Sequence, residues 1–256
     1  INFFKKNGYL IVNNILNKKN LDLVSSKLNN ILKLQKKSGR GLAEPGVNKS
    51  LLYNLHKDKL LNKLIEQKNW FKECTKKILN SDEFIVWNAK SNLKSRWHGS
   101  AEYYHQDFAY WKDYGFKSSN MISCMVFVDE HKHYNGGLWV FPGSHKKLYK
   151  HEKFMNINSL QKILISRNIL DKLAKKYKPV SLNQRAGSCV FFHCNLIHGS
   201  AHNISPVNRK IILYQISTKD SYDENYIAKV NKKNLIMRKG FEKQSLKRKL
   251  ELLNGF

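Results

Sequence analysis

Two short polar strings, far apart in the sequence, constrain this chain more than any other feature. The first is YHQDF at residues 104–108, and the second is IHGS at residues 197–200. Because His105 and Asp107 are two positions apart, both side chains would project from the same face of a β-strand. If His198 joins them, two imidazoles and one carboxylate can hold one face of a metal ion and leave the opposite face open. That arrangement is typical of non-haem Fe(II) oxygenases, and it requires a fold that brings distant strands together.

The spacing of apolar residues predicts helices first and strands afterwards. Apolar residues recur every three or four positions within residues 21–31, 60–65 and 70–78, which is typical of helices that bury one face. From residue 83 onward, short apolar runs separated by Gly and Asn predict strands at Phe84–Trp87, Ile122–Val128, Gly137–Phe141, Ser188–Phe192 and Lys210–Ser217. We therefore expect a mainly β fold, a double-stranded β-helix (a cupin-like jelly-roll), with flanking N-terminal helices and a helical insertion.

The length of the chain, 256 residues, is enough to bury one large core. We expect a single oxygenase domain over residues 1–256. Within it, residues 1–82 form a mainly helical flank and residues 83–220 form the jelly-roll, with a helical insertion at about 159–176. Residues 221–256 form a basic C-terminal tail that carries a last helix at about 242–253.

The chain is strongly basic, with 46 Lys and Arg against 19 Asp and Glu and a formal net charge of +27. Such a charge is compatible with a nucleic-acid or membrane-surface partner. However, the lysines occur along nearly the whole chain and do not collect in one tail, which is typical of a compositional bias. We therefore do not expect a nucleic-acid partner, and the charge is free to attract an anionic substrate.

The cysteines and the apolar runs indicate the cellular compartment of the protein. None of the four Cys forms a Cys-x-x-Cys pair, and most fall in apolar runs. This predicts buried free thiols in a reducing compartment, and hence a cytoplasmic protein. No apolar run approaches the length of a membrane span, so no membrane partner is expected. The sequence leaves open whether the chain forms a homodimer.

Five blocks of sequence occur in a fixed order around the two polar strings. They are FFKKNGYLIV at residues 3–12, HQDFAYW at 105–111, NGGLWVFPGSH at 135–145, AGSCVFF at 186–192 and HGSAHNISPVNR at 198–209. Together they resemble the phytanoyl-CoA dioxygenase family of Fe(II)/2-oxoglutarate oxygenases, from about residue 3 to about residue 217. Within that family the last block looks most like the ectoine hydroxylases. The resemblance implies an enzyme that uses Fe(II), 2-oxoglutarate and O2 and releases succinate and CO2.

The resemblance also implies roles for individual residues. His105, Asp107 and His198 are the expected iron ligands and catalytic centre. Arg209, which opens an apolar run eleven residues after His198, is expected to clamp a carboxylate of 2-oxoglutarate, because its planar fork matches a carboxylate. Ser200 lies two positions after His198, on the same side of a strand, and is expected to donate its hydroxyl to the same carboxylate.

An alternating polar segment, residues 88–94, precedes the first string. Alternation places Asn88, Lys90, Asn92 and Lys94 on one face. That face is either a solvated strand edge or, as the resemblance implies, part of the site: Lys90 and Asn92 would help to hold the co-substrate, and Asn88 would contact the substrate. Ectoine hydroxylases carry Gln and Arg at the first two positions. Here Asn88 is a shorter amide than Gln, and Lys90 carries a point charge instead of the planar guanidinium of Arg. These differences change the contacts available to a substrate.

The remaining aromatic and imidazole side chains are less specific. Trp111 and Phe192 match aromatic positions that line the substrate pocket of ectoine hydroxylases, but buried aromatic residues are more often core, and both interpretations stay open. An aromatic wall would suit a small cationic or zwitterionic substrate. His131, His133 and His145 lie in or near predicted loops and are expected to be solvated.

The expected function is hydroxylation of an unactivated carbon in a small polar or zwitterionic substrate that is ectoine-like or amino-acid-like. One alternative is the same chemistry on an acyl-CoA or another anionic metabolite. Another is a non-catalytic basic binding protein on the same fold. A halogenase on this scaffold would carry a small residue in place of the carboxylate ligand, so the presence of Asp107 favours hydroxylation.

Overall fold

The computed structural model describes residues 1–38, 42–43, 49–52, 54–156 and 161–221. Its α-helices are α1 (Asn2–Asn7), α2 (Lys18–Ser38), α3 (Lys59–Leu61), α4 (Asn69–Leu79), α5 (Phe108–Trp111) and α6 (Arg167–Lys176). A π-helical turn follows α3 at Asn62–Glu66, and short 3-10 turns lie at Leu55–Lys57, Lys112–Tyr114, Ser144–Lys146 and Lys219–Ser221.

The strands are numbered in chain order. They are β1 (Tyr9–Val12), β2 (Leu42–Ala43), β3 (Lys49–Leu52), β4 (Phe84–Lys94), β5 (Glu102–His105), β6 (Met121–Phe127), β7 (Leu138–Val140), β8 (Glu152–Asn156), β9 (Gln161–Leu164), β10 (Val180–Ser181), β11 (Cys189–His193), β12 (His198–Ser200) and β13 (Arg209–Thr218). A larger sheet has the order β1-β11-β6-β13-β4-β3-β2, and a smaller one has the order β10-β7-β12-β5. All of these pairs are antiparallel, and the expected jelly-roll fold is confirmed.

Strand alternation explains how the larger sheet separates two apolar layers. Phe191 and Phe192 are neighbours in β11 and are both fully buried. Phe191 packs with helical residues such as Phe71 of α4, whereas Phe192 belongs to the cluster between the two sheets. Full burial of a side chain of this size stabilises the fold by about 2–3 kcal/mol. The helices therefore cover one face of the larger sheet, and the smaller sheet covers the other.

The helical periodicity within residues 21–31, 60–65 and 70–78 corresponds to α2, to α3 with its π-helical turn, and to α4. The predicted strands correspond to β4, β6, β7, β11 and β13. The insertion differs from the expectation: of its described residues, 161–176, only those of α6 are helical, whereas β9 pairs with β8 in a hairpin. The side chain of Gln161 explains part of this difference, because it bonds to the backbone of β5 from an extended strand.

Residues 222–256, which include the predicted last helix, lie outside the described residues, and the single-domain organisation stays a prediction. Among the described residues, no helix combines the length and the apolar character that crossing a membrane requires.

Candidate metal centre and co-substrate site

The fold brings the two polar strings together. β5 and β12 are antiparallel neighbours, and His105 and His198 are directly opposite each other with ring centroids 4.4 Å apart. The Nε2 atom of each imidazole lies 3.8 Å from Oδ1 of Asp107. The three side chains are buried, and their ligand atoms all lie within 4.8 Å of one another.

Asp107 reaches this position by a different route from the one that the sequence suggested. β5 ends at His105, and Asp107 already has helical backbone angles at the start of α5. The carboxylate therefore points to the imidazoles because the chain turns into a helix, and not because it continues along a strand.

Both imidazoles are held in the tautomer that a metal needs. Nδ1 of His105 lies 2.8 Å from the carbonyl oxygen of Tyr103, and Nδ1 of His198 lies 2.9 Å from that of Leu196. A carbonyl can only accept, so each Nδ1 carries the proton and each Nε2 keeps a free lone pair. Burial, reinforced by the neighbouring His198, lowers the pKa of His105 to about 4, so this imidazole is neutral at pH 7.

The carboxylate is oriented by a residue that the sequence analysis missed. The hydroxyl of Ser123 donates to Oδ2 of Asp107 at 3.0 Å, which leaves Oδ1 facing the imidazoles. Ser123 is fully buried in β6, a strand whose other residues are all apolar. A hydroxyl in the middle of such a strand is the signal that could have identified it.

Gln161, in the insertion, is a second residue that was not predicted from the sequence, and it holds the backbone close to His105. The side chain of Gln161 pairs with the backbone of Tyr103: Nε2 donates to its carbonyl and Oε1 accepts from its N–H, both at 2.8 Å. The same carbonyl accepts from Nδ1 of His105. The β8–β9 hairpin is therefore tied to a ligand of the metal centre. Outer partners of this kind fix ligand orientation.

These residues fit an Fe(II) ion. Two neutral imidazole nitrogens and one carboxylate oxygen converge from one side, and the outer hydrogen bonds fix the donor atoms. This is the ligand set of non-haem Fe(II) oxygenases, which leaves coordination positions for other ligands.

Arg209, the predicted carboxylate clamp, is buried at the start of a strand. It begins β13, opposite Lys94 of β4, and it is only 3% exposed. Its Nε is buried without a hydrogen-bond partner. Burial lowers the pKa of Arg209 to about 10, against the opposing effect of Glu102 and Asp129, so the guanidinium stays charged at pH 7. A buried guanidinium with an unused donor fits an incoming carboxylate.

Lys94 lies opposite Arg209, and we call these two residues the basic end of the site. No role of its own was predicted for Lys94 from the sequence. It is 1% exposed, and its Nζ donates to Oγ of Ser200 at 2.7 Å and to the carbonyl oxygen of Ala201 at 2.6 Å. Ser200 is thus close to the basic end, as expected. Because its oxygen accepts from Lys94, its own hydroxyl hydrogen is available for another acceptor.

Asn88, Lys90 and Asn92 are half-buried and do not lie on a solvated edge. β4 is an inner strand between β13 and β3. Their partners in β13 are Gln215, Leu213 and Ile211, of which the last two belong to the apolar cluster between the sheets. The polar face of β4 therefore points between the sheets. Asn88 donates through Nδ2 to Oε1 of Gln215 at 2.7 Å, whereas Oδ1 of Asn92 is buried without a partner.

The two candidate aromatic residues have different surroundings. The ring of Phe192 lies 4.9 Å from that of His198, so it packs directly against the metal centre. Trp111 is 3% exposed and packs at 5.4 Å, edge to face, against Trp87 in a cluster with Phe116. Its helix begins directly after Asp107. A role for either ring in a substrate pocket stays a prediction.

The expectation that His131 is solvated is wrong. His131 is fully buried, whereas its neighbour His133 is exposed as expected. The physical reason is a backbone contact: Nε2 of His131 accepts from the N–H of Leu138 at 3.1 Å, which draws the imidazole inward.

Comparisons with known proteins identify the family and the fold. The family model of phytanoyl-CoA dioxygenase (PhyH) matches residues 4–211. The ectoine dioxygenase of Stutzerimonas stutzeri is 28% identical over 223 residues, which cover 82% of this chain and 73% of that protein. Crystal structures of EctD from S. alaskensis share the fold at 22% identity and a TM-score of 0.74. One holds bound Fe and covers 87% of this chain and 77% of EctD.

Another EctD structure holds 2-oxoglutarate and 5-hydroxyectoine, with 87% of this chain and 76% of EctD covered. The matched segment contains the metal centre and Arg209. The chain belongs to the phytanoyl-CoA dioxygenase family.

Proposed function

We propose that this chain is an Fe(II)- and 2-oxoglutarate-dependent dioxygenase. It hydroxylates an unactivated carbon of a small polar or zwitterionic substrate, which is ectoine-like or amino-acid-like, and releases succinate and CO2. The observation that carries the proposal is the buried convergence of His105, Asp107 and His198, whose hydrogen bonds leave one ligand atom of each free.

Each group of residues has a separate task in this proposal. The triad holds Fe(II), which together with 2-oxoglutarate and O2 supplies the oxidising chemistry. Arg209 binds the distal carboxylate of 2-oxoglutarate with its unused Nε–H, and Ser200 donates its hydroxyl to the same carboxylate. The keto acid would then lie between the basic end and the metal centre, beside the apolar cluster between the sheets.

The polar face of β4 supports a small substrate. Lys90 and Asn92 face the space between the sheets next to β13 and help to hold the co-substrate, and Asn88 offers an amide to the substrate. Phe192 packs beside His198 and supplies an apolar wall. A few polar groups among apolar ones are typical of sites that orient small molecules.

The proposal is tested by the consumption of 2-oxoglutarate. With Fe(II) and O2, the protein is expected to convert 2-oxoglutarate to succinate, and the rate should rise with the prime substrate. Ectoine, a proline-like compound and an acyl-CoA are compared by succinate released and hydroxylated product formed. No succinate above that of free Fe(II) would contradict the enzyme activity. One-to-one coupling with the acyl-CoA alone would contradict the small-substrate proposal and leave the iron chemistry in place.

Trp111→Ala is expected to uncouple the reaction. Removing the ring from the helix that follows Asp107 leaves a cavity beside Trp87, and we expect this to loosen the position of the bound substrate. Succinate release should persist while hydroxylated product falls, as measured by the ratio of product to succinate. Trp111→Phe, which keeps an aromatic ring in the cluster, is the control and should retain most of the coupling. An unchanged ratio of product to succinate in Trp111→Ala would mean that Trp111 acts only as a core residue.

We infer a cytoplasmic enzyme from the cysteines. All four are free thiols, and three of them are buried. Free thiols persist in a reducing compartment.

A further inference from the structure

His131 is a buried imidazole that the metal centre does not use. It follows β6, and its ring lies 4.5 Å from that of Phe127. The segment is fixed beside the start of β13, because the backbone N–H of Lys210 donates to Oδ2 of Asp129 at 2.8 Å. The residue that donates to His131, Leu138, is paired with Ser200 of β12, which accepts from Lys94. His131 therefore lies in the same region as Lys94 and the start of β13, on a segment that supplies none of the metal ligands.

The hydrogen bonds of His131 determine where its proton lies. Nε2 accepts from the N–H of Leu138, so Nε2 is unprotonated. Burial, together with the positive charges of Arg209 and Lys94, lowers the pKa of His131 well below its usual value, so the ring is neutral at pH 7. A neutral ring with an unprotonated Nε2 carries its proton on Nδ1. Nδ1 is buried and has no hydrogen-bond partner, so a donor is unused.

A second unused donor belongs to Arg209, at the start of the strand to which this segment is tied. Nε of Arg209 is also buried without a hydrogen-bond partner, and the positive charge of Arg209 acts on the imidazole of His131. Leaving a buried donor unsatisfied costs about 1–3 kcal/mol, so two unused donors in one region favour an acceptor that reaches both. Lys94 adds positive charge to this region. Its side chain passes so close to Gly136 that a Cβ on Gly136 would lie 2.5 Å from Cδ of Lys94, and its Nζ donates to Ser200.

We propose that His131 binds the co-substrate by donating Nδ1–H to the distal carboxylate of 2-oxoglutarate, alongside Arg209. A carboxylate has two oxygens and several lone pairs, so it can satisfy both unused donors at once. A neutral imidazole contributes this bond without adding a further positive charge to a site that already holds Arg209 and Lys94. The proposal rests on the proposed function, since it names a further residue for the same co-substrate.

The test compares two keto acids that differ in the distal carboxylate. 2-Oxoglutarate and 2-oxobutyrate are titrated by calorimetry into protein loaded with Mn(II), which avoids turnover. His131→Phe keeps a ring against Phe127 but removes the donor. His131→Phe is expected to weaken the binding of 2-oxoglutarate roughly ten- to hundredfold, which is the range for the loss of a hydrogen bond to a charged group. The affinity for 2-oxobutyrate should change less than about twofold. His133→Phe, at the exposed neighbouring histidine, is the matched control and should leave both affinities unchanged.

A second pair of variants keeps the test decisive if His131→Phe does not fold. His131→Gln retains an acceptor for Leu138 and an N–H donor, so it should bind 2-oxoglutarate close to wild type. His131→Glu has nearly the same shape but places a carboxylate there, and it should lose the preference for 2-oxoglutarate. Equal effects on both keto acids, or none, would overturn the role of His131. A wild-type protein that does not prefer 2-oxoglutarate over 2-oxobutyrate would instead overturn the proposed co-substrate.

Discussion

Asp107→Ala is expected to abolish tight binding of Fe(II), and with it the release of succinate, while the fold remains intact. Asp107 supplies the anionic ligand of the triad, and its Oδ1 lies 3.8 Å from Nε2 of both histidines. Loss of an outer hydrogen-bond partner of a ligand typically costs 10–100-fold in metal affinity. Loss of the ligand itself should cost more than that. Anaerobic Fe(II) titration measures the affinity, and circular dichroism checks the fold.

Two control variants make this result specific. Asp113→Ala removes an exposed carboxylate six residues further on and should leave iron binding unchanged. Ser123→Ala removes the hydroxyl that holds Oδ2 and should give an intermediate loss, within the 10–100-fold range. An Asp107→Ala protein that binds iron like the wild type would refute the assignment of the triad.

The fold was predictable because its apolar patterns are local. The helices α2 and α4 follow stripes of apolar residues at helical spacing, and the central strands follow short apolar runs. The β8–β9 hairpin was not predictable in this way. Gln161 is polar, and its strand forms where its side chain can pair with the backbone of Tyr103, a contact between residues far apart in the sequence. Local periodicity carries no information about such a pairing.

The candidate site was predictable for residues that belong to a motif. His105, Asp107 and His198 converge as the two strings suggested, and Arg209 and Ser200 lie together with Lys94 at the basic end. Their signal is the residue type at a fixed spacing.

Supporting residues were missed because their roles arise from packing. Ser123 resembles any small residue in a strand until Asp107 is placed against it. His131 looks like a loop residue until its contact with Leu138 shows that it is buried. A role of this kind depends on which strands become neighbours, and neither residue type nor spacing encodes that.

Arg209→Ala is expected to raise the concentration of 2-oxoglutarate that the enzyme needs, with little change in iron binding. Arg209 is buried, charged at pH 7 and has an unused donor, so its loss leaves the distal carboxylate without its principal partner. Truncating one partner of a buried charge pair costs about 2–5 kcal/mol, or roughly thirtyfold to a few thousandfold in affinity.

Calorimetric titration of Mn(II)-loaded protein and the dependence of succinate release on 2-oxoglutarate concentration measure the effect of Arg209→Ala. Arg209→Lys keeps the charge but not the planar fork, so it should recover only part of the loss. Arg185→Ala removes an exposed arginine and should have no effect. The metal ligands lie on β5, on β12 and directly before α5, whereas Arg209 lies on β13. Arg209→Ala should therefore change the binding of 2-oxoglutarate without changing the binding of iron. If Arg209→Ala keeps the wild-type dependence on 2-oxoglutarate, the carboxylate is bound elsewhere, and the unused donors of Arg209 and His131 need another acceptor.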